Sequence, residues 1–138
     1  MQITLVSLAL ALAGVLGQQP APSSTTLNFD FFKAKVQPIF LAKRQGHARC
    51  ISCHGSGTPL RLQPLSPGAT TWNDEESRKN FDAMRRVALP GNMQSRLLIH
   101  PLAEAAGGDF FHNGGKHWTS QNDPEWQALK AFVMGQAN

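Results

Sequence analysis

The run Cys50-Ile51-Ser52-Cys53-His54 constrains this chain more than any other stretch. Two thiols stand three residues apart, and an imidazole follows the second at once. C-x-x-C-H is the attachment signature of a c-type haem. The thiols add across the two vinyl groups of the porphyrin and fix it by thioether bonds. Their spacing sets both sulfurs along one edge of the ring, roughly one helical turn apart. His54 can then turn its imidazole under the iron as the proximal ligand.

The chain has two cysteines in all, so no thiol remains for a Cys-rich zinc site or an iron–sulfur cluster. A plain disulfide or a redox dithiol would use the same pair. A thioredoxin-like dithiol sits among alternating strands and helices, and no such alternation is readable here. A zinc site needs a second ligand pair at a regular spacing, whereas the other histidines are scattered.

Residues 1–17 read as a secretory signal peptide. Leu5 to Leu16 is apolar except for Ser7 and Gly14, and is too short to span a bilayer comfortably. Cleavage is expected after Gly17. The usual basic n-region is missing, which keeps an uncleaved N-terminal membrane anchor as the alternative. No cysteine lies near the cleavage site, which argues against a lipoprotein. Export agrees with the motif, because bacterial thioether attachment takes place outside the cytoplasmic membrane. A periplasmic or otherwise exported protein is expected. Cleavage leaves about 120 residues, a domain with a limited core. A haem offers such a chain a large apolar body to pack on, so the apo chain should fold poorly.

The formal charge is +4 and the pI about 9.5. Such a surface steers toward acidic or membrane-bound redox partners. Lys43, Arg44 and Arg49 precede the motif and are expected to rim the haem edge. The basic residues are dispersed and no recognition motif is present, so nucleic acid is not an expected partner.

Gln18 to Leu27 is rich in Pro, Ser, Thr and Gln and reads as a flexible leader, residues 18–27. Asn28 or Asp30 can cap a first helix, whose apolar face is Phe29, Phe32, Val36, Ile39 and Phe40. Pro38 should kink or divide it. Residues 58–71 form a Pro-rich loop expected to wrap one haem edge through Leu60, Leu62 and Leu65. A second helix starts at Asn73 or Asp74, with Glu75 and Glu76 in its first turn and Arg85 and Arg86 in its last. Phe81, Met84, Val87 and Ala88 face inward, and Pro90-Gly91 closes it. A short helix from Asn92 to Ile99 buries Leu97 and Leu98. Residues 101–122 read as loop. Asp123-Pro124 opens the last helix, whose face is Trp126, Leu129, Phe132 and Val133, and Gly135 stops it. No strand and no repeat is readable.

Val36-Gln37-Pro38-Ile39-Phe40 ahead of Cys50-Ile51-Ser52-Cys53-His54-Gly55, with the closing Asp123-Pro124-Glu125-Trp126, resembles a class I-like cytochrome c domain. The chain is similar in particular to the small bacterial cytochromes c of the planctomycete type, seen in acidobacterial and planctomycete proteins. The resemblance covers about residues 28–136. It implies an all-α, class I cytochrome c-like fold wrapped around one covalently attached haem c, with the first and last helices crossing against it. It also implies a distal Met in a loop shortly before the last helix. That loop holds no Met. Met93 lies some thirty residues before the last helix, Met84 sits on a core face, Met134 comes too late, and Met1 belongs to the signal.

His112, eleven residues before Asp123, matches the implied position best and is the first distal candidate. His117 and Met93 are the alternatives, followed by His100 or an open site. Gly114-Gly115 favours His112, because glycines let backbone come close to a flat cofactor. His47 lies too near the motif to reach the opposite haem face and reads as a surface residue. His100 reads as a cap of the short helix, and His117 as a donor to a haem propionate.

The expected function is a mono-haem one-electron carrier or a haem subunit docked to a redox complex, with no catalytic side chain of its own. The alternative is a haem enzyme or sensor, peroxidase-like or gas-binding. It would have an open distal site, with His112 and His117 as acid–base groups.

Overall fold

The computed structural model describes residues 25–136. The expected signal peptide 1–17 and most of the leader 18–27 lie outside them. The described residues form helices joined by loops, with no strand among them, and this part of the chain is all-α. None of these helices is long and apolar enough to cross a membrane.

The N-terminal helix runs through three consecutive segments, Phe29–Phe31, Phe32–Val36 and Gln37–Leu41. Asn28 caps it, its side chain accepting from the Phe31 N–H at 2.9 Å. The middle segment is π-helical, and the Gln37 N–H reaches back to the Phe32 carbonyl. Pro38 explains the widening. Its ring crowds the preceding turn and it has no N–H to donate, and one wider turn absorbs both defects while the helix continues. Phe32, Val36, Ile39 and Phe40 are buried along one face, as the three- and four-residue spacing predicts.

The last helix, Pro124–Val133, starts where Asp123 accepts from the Glu125 and Trp126 N–H groups. It packs on the π-helical segment of the first helix. Trp126, Leu129, Phe132 and Val133 are all buried. The Phe132 ring lies 6.0 Å from Phe32 and 6.2 Å from Phe81, which joins the first, last and long helices. The Trp126 indole donates to the Leu98 carbonyl at 3.0 Å and ties in the short helix.

The long helix, Asp74–Val87, has a complete capping box: Asn73 and Glu76 each accept the other's backbone N–H at 2.9 Å. The short helix is Arg96–Ile99, four residues shorter than the spacing suggests. Asn92 to Ser95 is a turn instead. The Asn92 side chain accepts from the Gln94 N–H at 2.8 Å, and Ser95 Oγ accepts from the Leu89 N–H at 3.2 Å. Asn and Ser here satisfy local backbone in a non-helical way.

The two long loops are pinned. Gln63 donates its N–H to buried Asn80 at 2.6 Å and accepts from the Trp72 indole at 2.8 Å. This draws Leu62 onto the core beside the long helix, leaving Leu65 half-buried. Residues 101–122 fold back on themselves through an isolated parallel bridge between Leu102 and Trp118. A single 3-10 turn, Glu104–Ala106, lies between the two.

Candidate functional site

Cys50–His54 is one helical turn, entered from Arg49 in extended conformation. It packs against Gln37–Leu41 of the N-terminal helix. Both cysteines are free thiols, Cys50 half-buried and Cys53 exposed. Burial pushes the Cys50 thiol above its ordinary value, partly offset by the Arg44 charge. Cys50, Cys53 and His54 all line one cavity of about 380 Å³, a size within the range of cofactor sites. Ile39, Phe40, Leu60, Leu97 and Leu129 give it an apolar floor, and it carries two arginines, Arg49 and Arg96, and no carboxylate.

His54 Nδ1 lies 2.9 Å from the Leu60 carbonyl and 3.1 Å from Thr58 Oγ1. The Thr58 hydroxyl itself donates to Leu60 O at 2.5 Å. A carbonyl only accepts, so Nδ1 is the donor there, and Nε2 is the nitrogen left to act as a ligand. A metal-binding histidine is held in the same way, through its second nitrogen. The Leu62 N–H donates to the His54 carbonyl at 2.7 Å and brings Leu60 into reach.

His112 also lines the cavity, its ring centre 6.3 Å from that of His54 and the two planes 23° apart. Its Nδ1 lies 2.6 Å from the Gly115 carbonyl, so Nε2 is again the nitrogen left to act as a ligand. Gly115 makes the turn possible, with φ +79 and its N–H on the His112 carbonyl at 2.8 Å. A Cβ on Gly114 would stand 3.3 Å from His112 Cε1. The glycines thus make room for the His112 ring and its own turn, a more local reason than clearance for a cofactor. Burial, then the charges of His100, His54 and Lys116, hold His112 below the ordinary histidine value, with the Gly115 carbonyl pulling the other way.

The remaining histidines gather around the same space. His117 lines the cavity with its Nδ1 buried and unpartnered. Burial, then His47 and Arg44, pushes it down to about 4. His47 is no bare surface residue: its ring centre is 4.8 Å from His117. His100 does stand at the C-cap of the short helix, yet it also lines the cavity, 4.8 Å from His112. Met93 packs on the hydrophobic core and is not among the cavity-lining residues.

Arg44 differs from its expected place on the rim. It turns inward, with Nε 2.7 Å from Glu125 Oε2, an amino group 3.0 Å from the Ile39 carbonyl, and its guanidinium 5.4 Å from the Trp118 ring centre. Its other amino group reaches Cys50 Sγ at 3.7 Å. Thr58, Asp109 and Lys116 are further site residues that the sequence reading passes over. Opposite charges three residues before and four after His112 are the signal that points to the last two.

Among the described residues no group of three or more His, Cys, Asp and Glu side chains is arranged to hold a bare metal ion. A haem iron asks the protein for two axial ligands, since the porphyrin supplies the rest. Comparison of the chain with protein-family models, with curated proteins and with solved structures finds no match.

Proposed function

We propose that this protein is an exported mono-haem c-type cytochrome that carries single electrons, free or as a haem subunit of a redox complex, in a class I cytochrome c-like fold. The pairing of His54 with His112 carries the reading. Each ring turns its Nδ1 to a backbone carbonyl, which leaves Nε2 for a metal. Two imidazoles that share one ion through bonds of about 2.0–2.1 Å, the zinc value, have ring centres at most about 6.5 Å apart. The observed 6.3 Å is within that limit, so both rings could reach one iron. Cys50 and Cys53, on the same wall as His54, are the thiols for thioether attachment.

A haem bound here supplies a one-electron couple. The chain would attach it through Cys50 and Cys53, hold it with His54 and His112, and surround it with apolar side chains. Two nitrogen ligands set a lower potential than a His/Met pair. Arg49 and Arg96 at the cavity suit acidic groups, whether on the cofactor's own edge or on a partner protein.

A second reading is a peroxidase-like or gas-binding haem protein. Its support is His117, a half-buried imidazole whose Nδ1 is buried without a hydrogen-bond partner, beside His112. The two readings separate on an optical spectrum of protein made with a cytochrome c maturation system. The carrier reading expects low-spin ferric iron with no Met–iron charge-transfer band, and His112→Ala should turn it high-spin. A high-spin parent would favour the second reading. The double variant Cys50→Ser/Cys53→Ser should lose covalent haem; retention through denaturing electrophoresis would refute attachment at these residues.

A further inference from the structure

His112 stands on a six-residue excursion, Phe110 to Gly115, and its two flanks are joined by one ion pair. Lys116 Nζ lies 3.0 Å from Asp109 Oδ1 and also donates to the Asp109 carbonyl. The same ammonium donates to the His100 carbonyl at 3.0 Å, and Asp109 Oδ2 meets His100 Nδ1 at 2.6 Å. All three donors of Lys116 are thus committed to the neck of the loop. The pair is about three-quarters buried, with side-chain exposures of 23% and 27%.

The flanking backbone fixes the neck to the rest of the chain. The Asp109 N–H donates to Ile99 O at 3.0 Å, and the His117 N–H donates to Pro101 O at 2.8 Å. Beyond the neck the loop has little to hold it. Phe110 is 84% exposed and Phe111 55% exposed. The hydrogen bond of the His112 side chain is local, to Gly115 within the same excursion.

We propose that Lys116 and Asp109 are the positioning residues of the distal ligand: their ion pair is the clasp that keeps His112 at the cavity. The backbone bonds at Ile99 and Pro101 anchor each flank separately, whereas this pair ties the two flanks to each other, so losing it loosens the loop that carries His112. This inference rests on His112 as the distal ligand, and it adds what governs the ligand's retention. Charge-assisted bonds in a partly buried, water-poor setting are the strong kind, and losing one predicts about a tenfold or larger effect on loop opening.

The test is the rate at which cyanide displaces the distal ligand from the ferric haem protein, followed by absorbance in the parent and in Lys116→Met, Asp109→Asn and Lys116→Arg. Opening must precede cyanide binding, so Lys116→Met and Asp109→Asn should bind about tenfold faster or more. Lys116→Arg, which keeps charge and donors, should stay near the parent. Lys79→Met, which removes an exposed pair with Glu75 on the long helix, is the control for general loosening and should leave the rate unchanged. Parent-like rates in both Lys116→Met and Asp109→Asn would overturn the clasp while leaving the cytochrome reading intact. Equal acceleration by Lys79→Met would overturn it too. A parent without covalent haem, or with a spectrum that His112→Ala does not alter, would defeat the underlying assignment, and that is read before any rate is compared.

Discussion

Replacing Arg44 with Met should destabilise the protein by about 2 kcal/mol, because Arg44 is a joint between three segments. The guanidinium bonds Glu125 of the last helix through two nitrogens and the Ile39 carbonyl at the end of the first helix through one. It also lies over Trp118. Charged hydrogen bonds contribute about 1.5–3 kcal/mol net. The Glu125 side chain is 35% exposed against 14% for Arg44, so solvent screening puts this pair at the lower end. The lost bond to Ile39 costs about 1 kcal/mol, leaving an end-of-helix carbonyl half-satisfied. Cation–π stacking adds about 0.5–1 kcal/mol. Met retains much of the apolar stem and returns part of the total. The assay is urea unfolding of the haem-loaded protein, where the midpoint should fall at constant m. The variant Arg44→Lys keeps the charge and loses the planar fork, so its stability should lie between those of the parent and Arg44→Met. A double-mutant cycle with Glu125→Gln should show coupling above about 0.5 kcal/mol. An Arg44→Met loss below about 0.5 kcal/mol would mean that Arg44 behaves as an ordinary surface cation, and the inward reading of this residue would be wrong.

Phe132→Ala should cost about 3–5 kcal/mol, since its ring is fully buried and packs near two other phenylalanines. Phe110→Ala, at an 84% exposed position, should change stability by no more than about 0.5 kcal/mol, and chemical denaturation of the pair compares them directly. Gly108→Ala should displace the neck of the distal loop, because a Cβ there would stand 1.9 Å from the Leu102 carbonyl oxygen; an unchanged optical spectrum and melting temperature would contradict this. His117 titrates at about 4 in the folded protein against 6.5 ordinarily. The unfolded chain therefore binds more protons between these values, so stability falls as pH drops through that window and the loss is complete below about pH 4. With screening around the half-exposed ring, the loss is about 1–2 kcal/mol. His117→Gln should flatten the pH dependence of the unfolding midpoint in that range.

What the sequence determined by itself is what neighbouring residues settle. The thiol spacing and the imidazole after it form one helical turn because three-residue separation is one turn. Asn28, Asn73 and Asp123 begin helices because a short oxygen-bearing side chain reaches the N–H groups just ahead of it. The apolar stripes of the first and last helices follow from period alone.

Tertiary structure decided the rest. Arg44 and Glu125 lie 81 residues apart, and nothing local distinguishes Arg44 from Lys43 or Arg49, which stay exposed. Phe110 and Phe132 are the same residue type with opposite fates, decided by which segment packs on the helices. His47, His100, His112 and His117 look scattered along the chain, yet the bridge that folds Leu102 against Trp118 brings His100, His112 and His117 to one cavity, with His47 against His117. Local codes are read from spacing because their partners are covalently near. A site lined by distant segments depends on loop closure and packing, where the free energy lies in contacts that no sequence window contains.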